Sequence, residues 1–240
     1  MLAQKRSLSS TTTTAEDRWQ RGYKSSPYRD QRYEVILAGK GVFMHDSELG
    51  ITRASESLCR SLLEKQQTVP KESLFRDDIF ETTRLNLSDK NEARVIQDIS
   101  RLIVPSPETL ATFVAEHLSI LTESVDEAWT NSIPFTQPRP QPDFAVGFKE
   151  EAFTKDQLSK LSPFIGDYLG EDESFFMATY RMFSPFLTCE VKCAASSINI
   201  ADRQNTHSAA LAVQAIVKLI EAVQRKKRTP QTDPCVLRLA

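Results

Sequence analysis

The sequence predicts a mixed α/β fold, a central sheet flanked by helices and preceded by a helical N-terminal half. Apolar residues recur at helical spacing in three stretches of the first 130 residues, and they alternate with period two in Phe144–Phe148 and around Cys189–Cys193. Glycine is scarce, 7 in 240, which disfavours a turn-rich all-β sandwich. A chain of 240 residues accommodates one enlarged domain or one domain with extensions.

Residues 1–30 are rich in Ser, Thr, Lys and Arg, carry the run Thr11–Thr14 and have few aliphatic side chains, so they read as a disordered tail. Residues 31–90 read as a helical extension. Within it YEVILAGKGVFM suggests a short strand and turn, and ASESLCRSLLEKQQ is a helix with Leu58, Leu62 and Leu63 on one face. VPKESLFRDDIFETTRLNL is a loop leading into a short helix. The next helix, in SDKNEARVIQDISRLIVP, is capped by Ser88 or Asp89 and carries the stripe Val95, Ile96, Ile99, Leu102 and Ile103. Pro105 and Pro107 end it. A capping pattern then starts a second long amphipathic helix through Leu110, Phe113, Val114, His117, Leu121, Val125 and Trp129.

Pro134, Pro138, Pro140 and Pro142 force an extended approach to the strand Phe144–Phe148. AFTKDQLSKLSPFIGDYLG is a small helix and loop outside the sheet, and SFFMATYRMF fits either a strand or a buried helix. Pro185 separates it from FLTCEVKCA, a central strand. The last helix, HSAALAVQAIVKLIEAVQRKKR, presents Ala209, Val213, Ile216, Ile220 and Val223 as the stripe that lies against the sheet, with Asp202 as its N-cap.

Composition removes several function classes. With 30 basic and 32 acidic residues the formal charge is -2, so a nucleic-acid site has to be local. No GxGxxG or GxxxxGK[ST] loop occurs. No window approaches ~18 uninterrupted apolar residues, and the N-terminus lacks a secretory apolar region; the expectation is an intracellular protein, nuclear or cytoplasmic, without membrane contact. The four cysteines are too sparse for a disulfide scaffold or a zinc site and read as reduced thiols.

In a strand, Glu190 and Lys192 point to one face while Cys189, Val191 and Cys193 point to the other. Asp143 follows Pro142 at the start of another strand, where its carboxylate projects beside Glu190 if the two strands pair. Two converging carboxylates call for a hard cation, and Mg²⁺ takes one or two carboxylates plus waters; the Val191 carbonyl offers another oxygen. Such a site suits phosphodiester hydrolysis, the cation acidifying a water and Lys192 stabilising the transition state. The plain alternative is a solvated Glu190–Lys192 pair.

Pro142-Asp143 and Glu190-Val191-Lys192 resemble the two elements of the PD-(D/E)XK nuclease superfamily. The longer stretches NEARVIQDISRLIVP, PRPQPDFAVGFKEEAFTKDQL, FFMATYRMFSPFLTCEVKCAA and NIADRQNTHSAALAVQAIVKL resemble a fungal family of PD-(D/E)XK nuclease-like proteins of largely unknown function. The resemblance implies a restriction-endonuclease-like mixed sheet over residues 91–240, ordered α-β-β-β-α-β. It also implies Asp143 and Glu190 as metal ligands, Lys192 as the catalytic lysine and an assisting helix acid. Glu92 is the candidate for that acid, with Glu116 and Glu123 as rivals. The resemblance also implies further strands where the sequence stops at CVLRLA, Val236–Leu239 being the candidate for the last.

Arg203 and Gln204 are expected in the first turn of the last helix, where they could bind a substrate phosphate, and Gln204 resembles a helix glutamine of some superfamily nucleases. His207 fits a packed residue or a proton carrier. The basic run Arg225–Arg228 suits phosphate contact, a nuclear address or the helix dipole. The leading expectation is a Mg²⁺-dependent nuclease, with Mn²⁺ as substitute, acting on DNA more than RNA. The rival is an inactive nuclease-like module that binds nucleic acid or protein.

Overall fold

Four antiparallel strands, β1 (Leu121–Val125), β2 (Phe144–Phe148), β3 (Met177–Thr179) and β4 (Met182–Cys189), form one curled sheet in the order β1-β2-β4-β3. The computed structural model describes residues 26–46, 48, 50–66, 71, 73–170, 172–193 and 197–228. Helices make up about 53%, so the fold is mixed α/β as expected. The sheet is not mixed in direction: every strand pair among the described residues is antiparallel, and parallel pairing is confined to a single Ser132–Ser174 bridge. Val236–Leu239 lies outside the described residues.

β2 is central because it is uncharged on both faces. Its alternation sends Phe144 and Val146 into a cluster with Ile96, Val104, Leu121 and Val191, while Ala145 packs with Trp129, Ala178, Met182 and Leu211. The first cluster belongs to α5 (Glu92–Ile103) and the second to α8 (Ile198–Arg228), so helices cover both faces. Each large apolar side chain buried this way contributes about 1.5–3 kcal/mol. Gly147 marks a tight approach within the sheet. A Cβ there would stand 2.5 Å from Met182 Cγ and 2.8 Å from the Phe183 carbonyl oxygen.

Opposite Gly147 the register slips between Val146–Leu187 and Phe148–Phe183, with Ser184 at a φ of 41°. Pro185 sits in this bulge, so it does not separate two elements; at a bulge the missing N–H interrupts no regular ladder. The ambiguous SFFMATYRMF segment is a hairpin, β3 turning into β4. Between β2 and β3 lies α7 (Lys155–Ile165). Thr154 and Gln157 close its start as a reciprocal capping box, and Gly166 ends it at a φ of 68°.

Three expected elements differ. The long helix expected through Trp129 stops early as α6 (Pro107–Phe113), followed by a 3-10 turn (Glu116–Ile120) and then β1. Five residue pairs with β2 decide this, because sheet pairing overrides a local helical period. The strand expected near Tyr33 is instead α2 (Arg32–Ala38), preceded by the short helix α1 (Ser26–Arg29); Tyr28, Tyr33 and Leu37 bury themselves with Ile200 of α8. Residues 26–30 are thus part of the fold, and the remainder of the expected tail lies outside the described residues.

The third difference concerns α8. Val213, Ile216, Ile220 and Val223 are about half exposed, and the packed face is Ala201, Gln204, Ser208, Leu211 and Ala215. Small residues on that face let the helix approach β4 closely. By length and composition Ile198–Gln224 meets the measure of a membrane span, as the core helix of a soluble protein also does. α3 (Arg53–Glu64) and α4 (Asp77–Leu87) form as expected, but α3 buries none of its residues, leaving Leu58, Leu62 and Leu63 exposed.

Candidate active site

The pairing of Phe144 with Cys189 at the end of the β2–β4 ladder sets the site. Continued by one residue, the same antiparallel register brings Asp143 opposite Glu190, each just beyond its strand. Asp143 is fixed twice. Its carbonyl accepts the Asp126 N–H at 3.0 Å, and its Oδ2 accepts the Val191 N–H at 2.7 Å. β4 ends at Cys189, so Glu190 and Lys192 follow the strand instead of alternating within it as expected, yet their Oε2 and Nζ stand 3.5 Å apart. Lys192 Nζ also stands 4.0 Å from Asp143 Oδ2 and donates to the Val191 carbonyl at 3.0 Å.

Glu92 completes the cluster. It opens α5, capped by the Asn91 side chain rather than by Ser88 or Asp89, and stands one turn before Ile96, which packs on β2. That packing carries Glu92 Oε1 to 3.6 Å from Lys192 Nζ. The rivals lie elsewhere: Glu123 is bound to Arg101 at 2.6 Å, and Glu116 is exposed on the 3-10 turn. All four residues expected to carry the chemistry, Asp143, Glu190, Lys192 and Glu92, are therefore gathered around one ammonium.

Among the described residues three carboxylates stand against one lysine there. Burial, with the Glu190 side chain 3% exposed, pushes its carboxyl up to about 8, and the Asp143 charge adds to the rise. Lys192 opposes it, and Glu92 adds a further push. Cys189, between the strand end and these charges, is raised by burial and then by the same two acids. Among the described residues no group of three or more His, Cys, Asp or Glu forms a ready-made metal cage. Mg²⁺ does not need one. Asp143 Oδ2 and Glu190 Oε2, 4.0 and 3.5 Å from one nitrogen, can be no farther apart than those distances combined. With the Val191 carbonyl they make an all-oxygen donor set, the ligand type a hard divalent cation takes, grouped here around the Lys192 ammonium.

The expected substrate binders are placed differently. α8 begins at Ile198, so Arg203 and Gln204 lie in its second turn, and Asp202 is inside the helix rather than its cap. Both are buried. Arg203 Nε donates to Glu34 at 2.8 Å and Nη1 to the Tyr28 carbonyl at 2.9 Å, so neither its guanidinium nor Gln204 faces an open substrate path. His207 is fully buried, with the Tyr28 and Tyr33 hydroxyls each 3.0 Å from Nδ1; burial lowers it to about 4, a packed neutral imidazole. Residues 225–228 continue α8.

Sequence reasoning missed the N-terminal contribution to this polar face. The i, i+4 spacing of Tyr33 and Leu37 was the available signal, obscured by the β-branched Val35 and Ile36 between them.

No curated protein matches this sequence, and no solved structure does. A family described as a domain of unknown function (DUF7924) matches residues 79–232, a segment that runs from α4 through α8 and includes all four clustered residues. By that match over more than half its length, the chain belongs to the DUF7924 family.

Proposed function

We propose that this protein is a metal-dependent phosphodiester hydrolase of the PD-(D/E)XK, restriction-endonuclease-like kind, acting on DNA in preference to RNA inside the cell, in nucleus or cytoplasm. One observation carries the reading: Lys192 Nζ lies within 4.0 Å of carboxylates from three separate chain segments at one end of the central strands. Asp143 and Glu190, with the Val191 carbonyl, would hold Mg²⁺ or Mn²⁺. Bound there, the cation supplies an acidified water and charge neutralisation at the phosphoryl oxygens. Lys192 orients the attacking water and stabilises the charge that develops on phosphorus oxygens. Glu92, partly exposed at 39%, is the group positioned to accept the water's proton or to assist the cation.

A second reading has its own support. Lys192 is only 8% exposed and its donors are engaged with its neighbours, an arrangement that suits a locked, inactive module for binding nucleic acid or protein. Incubation with labelled single- and double-stranded DNA and RNA separates the two, in Mg²⁺ or Mn²⁺ against chelator. The hydrolase predicts metal-dependent cleavage that falls about 10²–10³-fold or more in Lys192→Ala while the fold survives. Metal-independent binding without cleavage would leave the inactive module.

A further inference from the structure

Residues 26–42 lie on α8 as a strap, Tyr28, Tyr33, Leu37 and Val42 packing with Ile200. Where the strap ends, residues 40–42 and Phe135 form one wall of a groove of about 530 Å³, and α8 from Thr206 to Lys218 forms the other. At 1.5 Å per residue the α8 wall is about 18 Å long, or about three helical turns. Val213 and Val217 line it with half-exposed side chains, and Ala209, Ala210 and Gly41 leave room for a backbone to come close. The facing wall is preformed. Val42 packs in the core of the strap, and Phe135 packs on the Trp129 cluster with its ring 6.3 Å from that of His207.

The charge along the groove has one sign. Lys40 and Lys218 line it, no Asp or Glu among the described residues does, and α8 runs on into the basic run 225–228. Lys40 makes no ion pair among the described residues, and Lys218 pairs with Glu221 of its own helix at 3.4 Å. An apolar floor of this length with ammonium groups on its rim matches an amphipathic helix, apolar at i, i+3, i+4 and i+7 and acidic on its flanks. A second copy of this chain fits less well, because its α8 would bring the same basic run against these lysines. A bilayer surface is too flat to fill a groove with two walls. We propose that the groove docks an acidic amphipathic helix of a partner protein. The proposal is independent of hydrolysis at Lys192.

Fluorescence anisotropy with the full chain tests it on three labelled helical peptides. The first carries a leucine stripe at i, i+3, i+4 and i+7 on a glutamate background. The second has the same composition in an order that destroys the stripe, and the third replaces glutamate by lysine. Binding of the first alone is expected, weakening as salt rises. Val213→Glu, at an exposed position, should weaken it about tenfold or more, and Lys40→Glu about two- to fivefold. Lys40→Glu should also bind the lysine peptide better than the unaltered protein does, a gain that loss of structure would not produce. A photo-reactive side chain placed at Val213 names the occupant, and cross-linking to the glutamate peptide is expected. The proposal is overturned if the first peptide does not bind, if the second or third binds as tightly, or if neither substitution weakens binding. Cross-links that the peptide does not displace overturn it as well, whether to a second copy, to phosphatidylserine vesicles or to residues 1–25 or 229–240 of the same chain. Should Val213→Glu fail to fold, Lys40→Glu and the cross-link decide.

Discussion

In the cluster at the ends of β2 and β4 three carboxylates share one ammonium, whereas under the strap one guanidinium meets one carboxylate and a neutral histidine. The two regions are comparably buried at their centres, and in both burial favours the neutral form of the central group. Burial raises Glu190 to about 8 in the first and lowers His207 to about 4 in the second. The first is short of positive charge and partly open through Glu92; the second balances its charges and is closed. An incompletely compensated cluster is the arrangement that the proposed cation would relieve. A balanced pair mainly fixes how two segments dock.

The sharpest way to break this comparison is Lys192→Ala, which removes the ammonium that the three acids share. Stripping a partner from a buried ionic group costs about 3–5 kcal/mol, so the urea midpoint should fall strongly, and millimolar Mg²⁺ should recover part of the loss. Absence of any stability change would mean that the three acids do not depend on the lysine.

Titration sharpens it next. The stability tied to Glu190 is fully present below its ordinary value of 4.5 and is lost as pH rises through about 8. For His207 the contribution is present above 6.5 and lost as pH falls through about 4. From 4.5 to 6.5 the two slopes oppose each other; above 6.5 only the Glu190 loss continues, amounting to about 2 kcal/mol by pH 8. Urea unfolding at stepped pH should show that alkaline limb, and Mg²⁺ should flatten it.

Tyr33→Phe probes the strap with a smaller change. It deletes one hydroxyl at His207 while the Tyr28 hydroxyl remains at the same nitrogen, so a loss of about 0.5–1.5 kcal/mol is expected. Calorimetry should place this variant clearly above Lys192→Ala in stability. At the bottom of the scale stands Leu62→Ser on α3. Leu62 is 72% exposed, so thermal unfolding should move by no more than about 0.5 kcal/mol.

The candidate site was legible where local pattern coincides with geometry. Glu190 and Lys192 meet just past the end of β4 rather than inside the strand on which they were expected, Pro142-Asp143 announces the start of β2, and a helix start brings Glu92 near. AFTKDQLSKLSPFIGDYLG likewise announced α7. What the sequence could not decide was long-range. Leu121–Val125 carries a helical period yet becomes a strand, because only pairing with β2 completes the sheet. α8 has apolar residues all round from Ala209 to Val217, so periodicity could not select the face carrying Ala201, Leu211 and Ala215. The docking of Tyr28 and Tyr33 on His207 spans more than 170 residues of sequence and left only a short local trace.

β2 departs from the sheet at Phe148 and β4 begins at Met182, so the excursion of residues 149–176 hangs at the end of these strands opposite Asp143 and Glu190. That polarity gives the molecule a built-in attachment point. Leu169, 75% exposed on this excursion, is where a dye or an affinity handle could be grafted for single-molecule observation while the acidic end stays untouched.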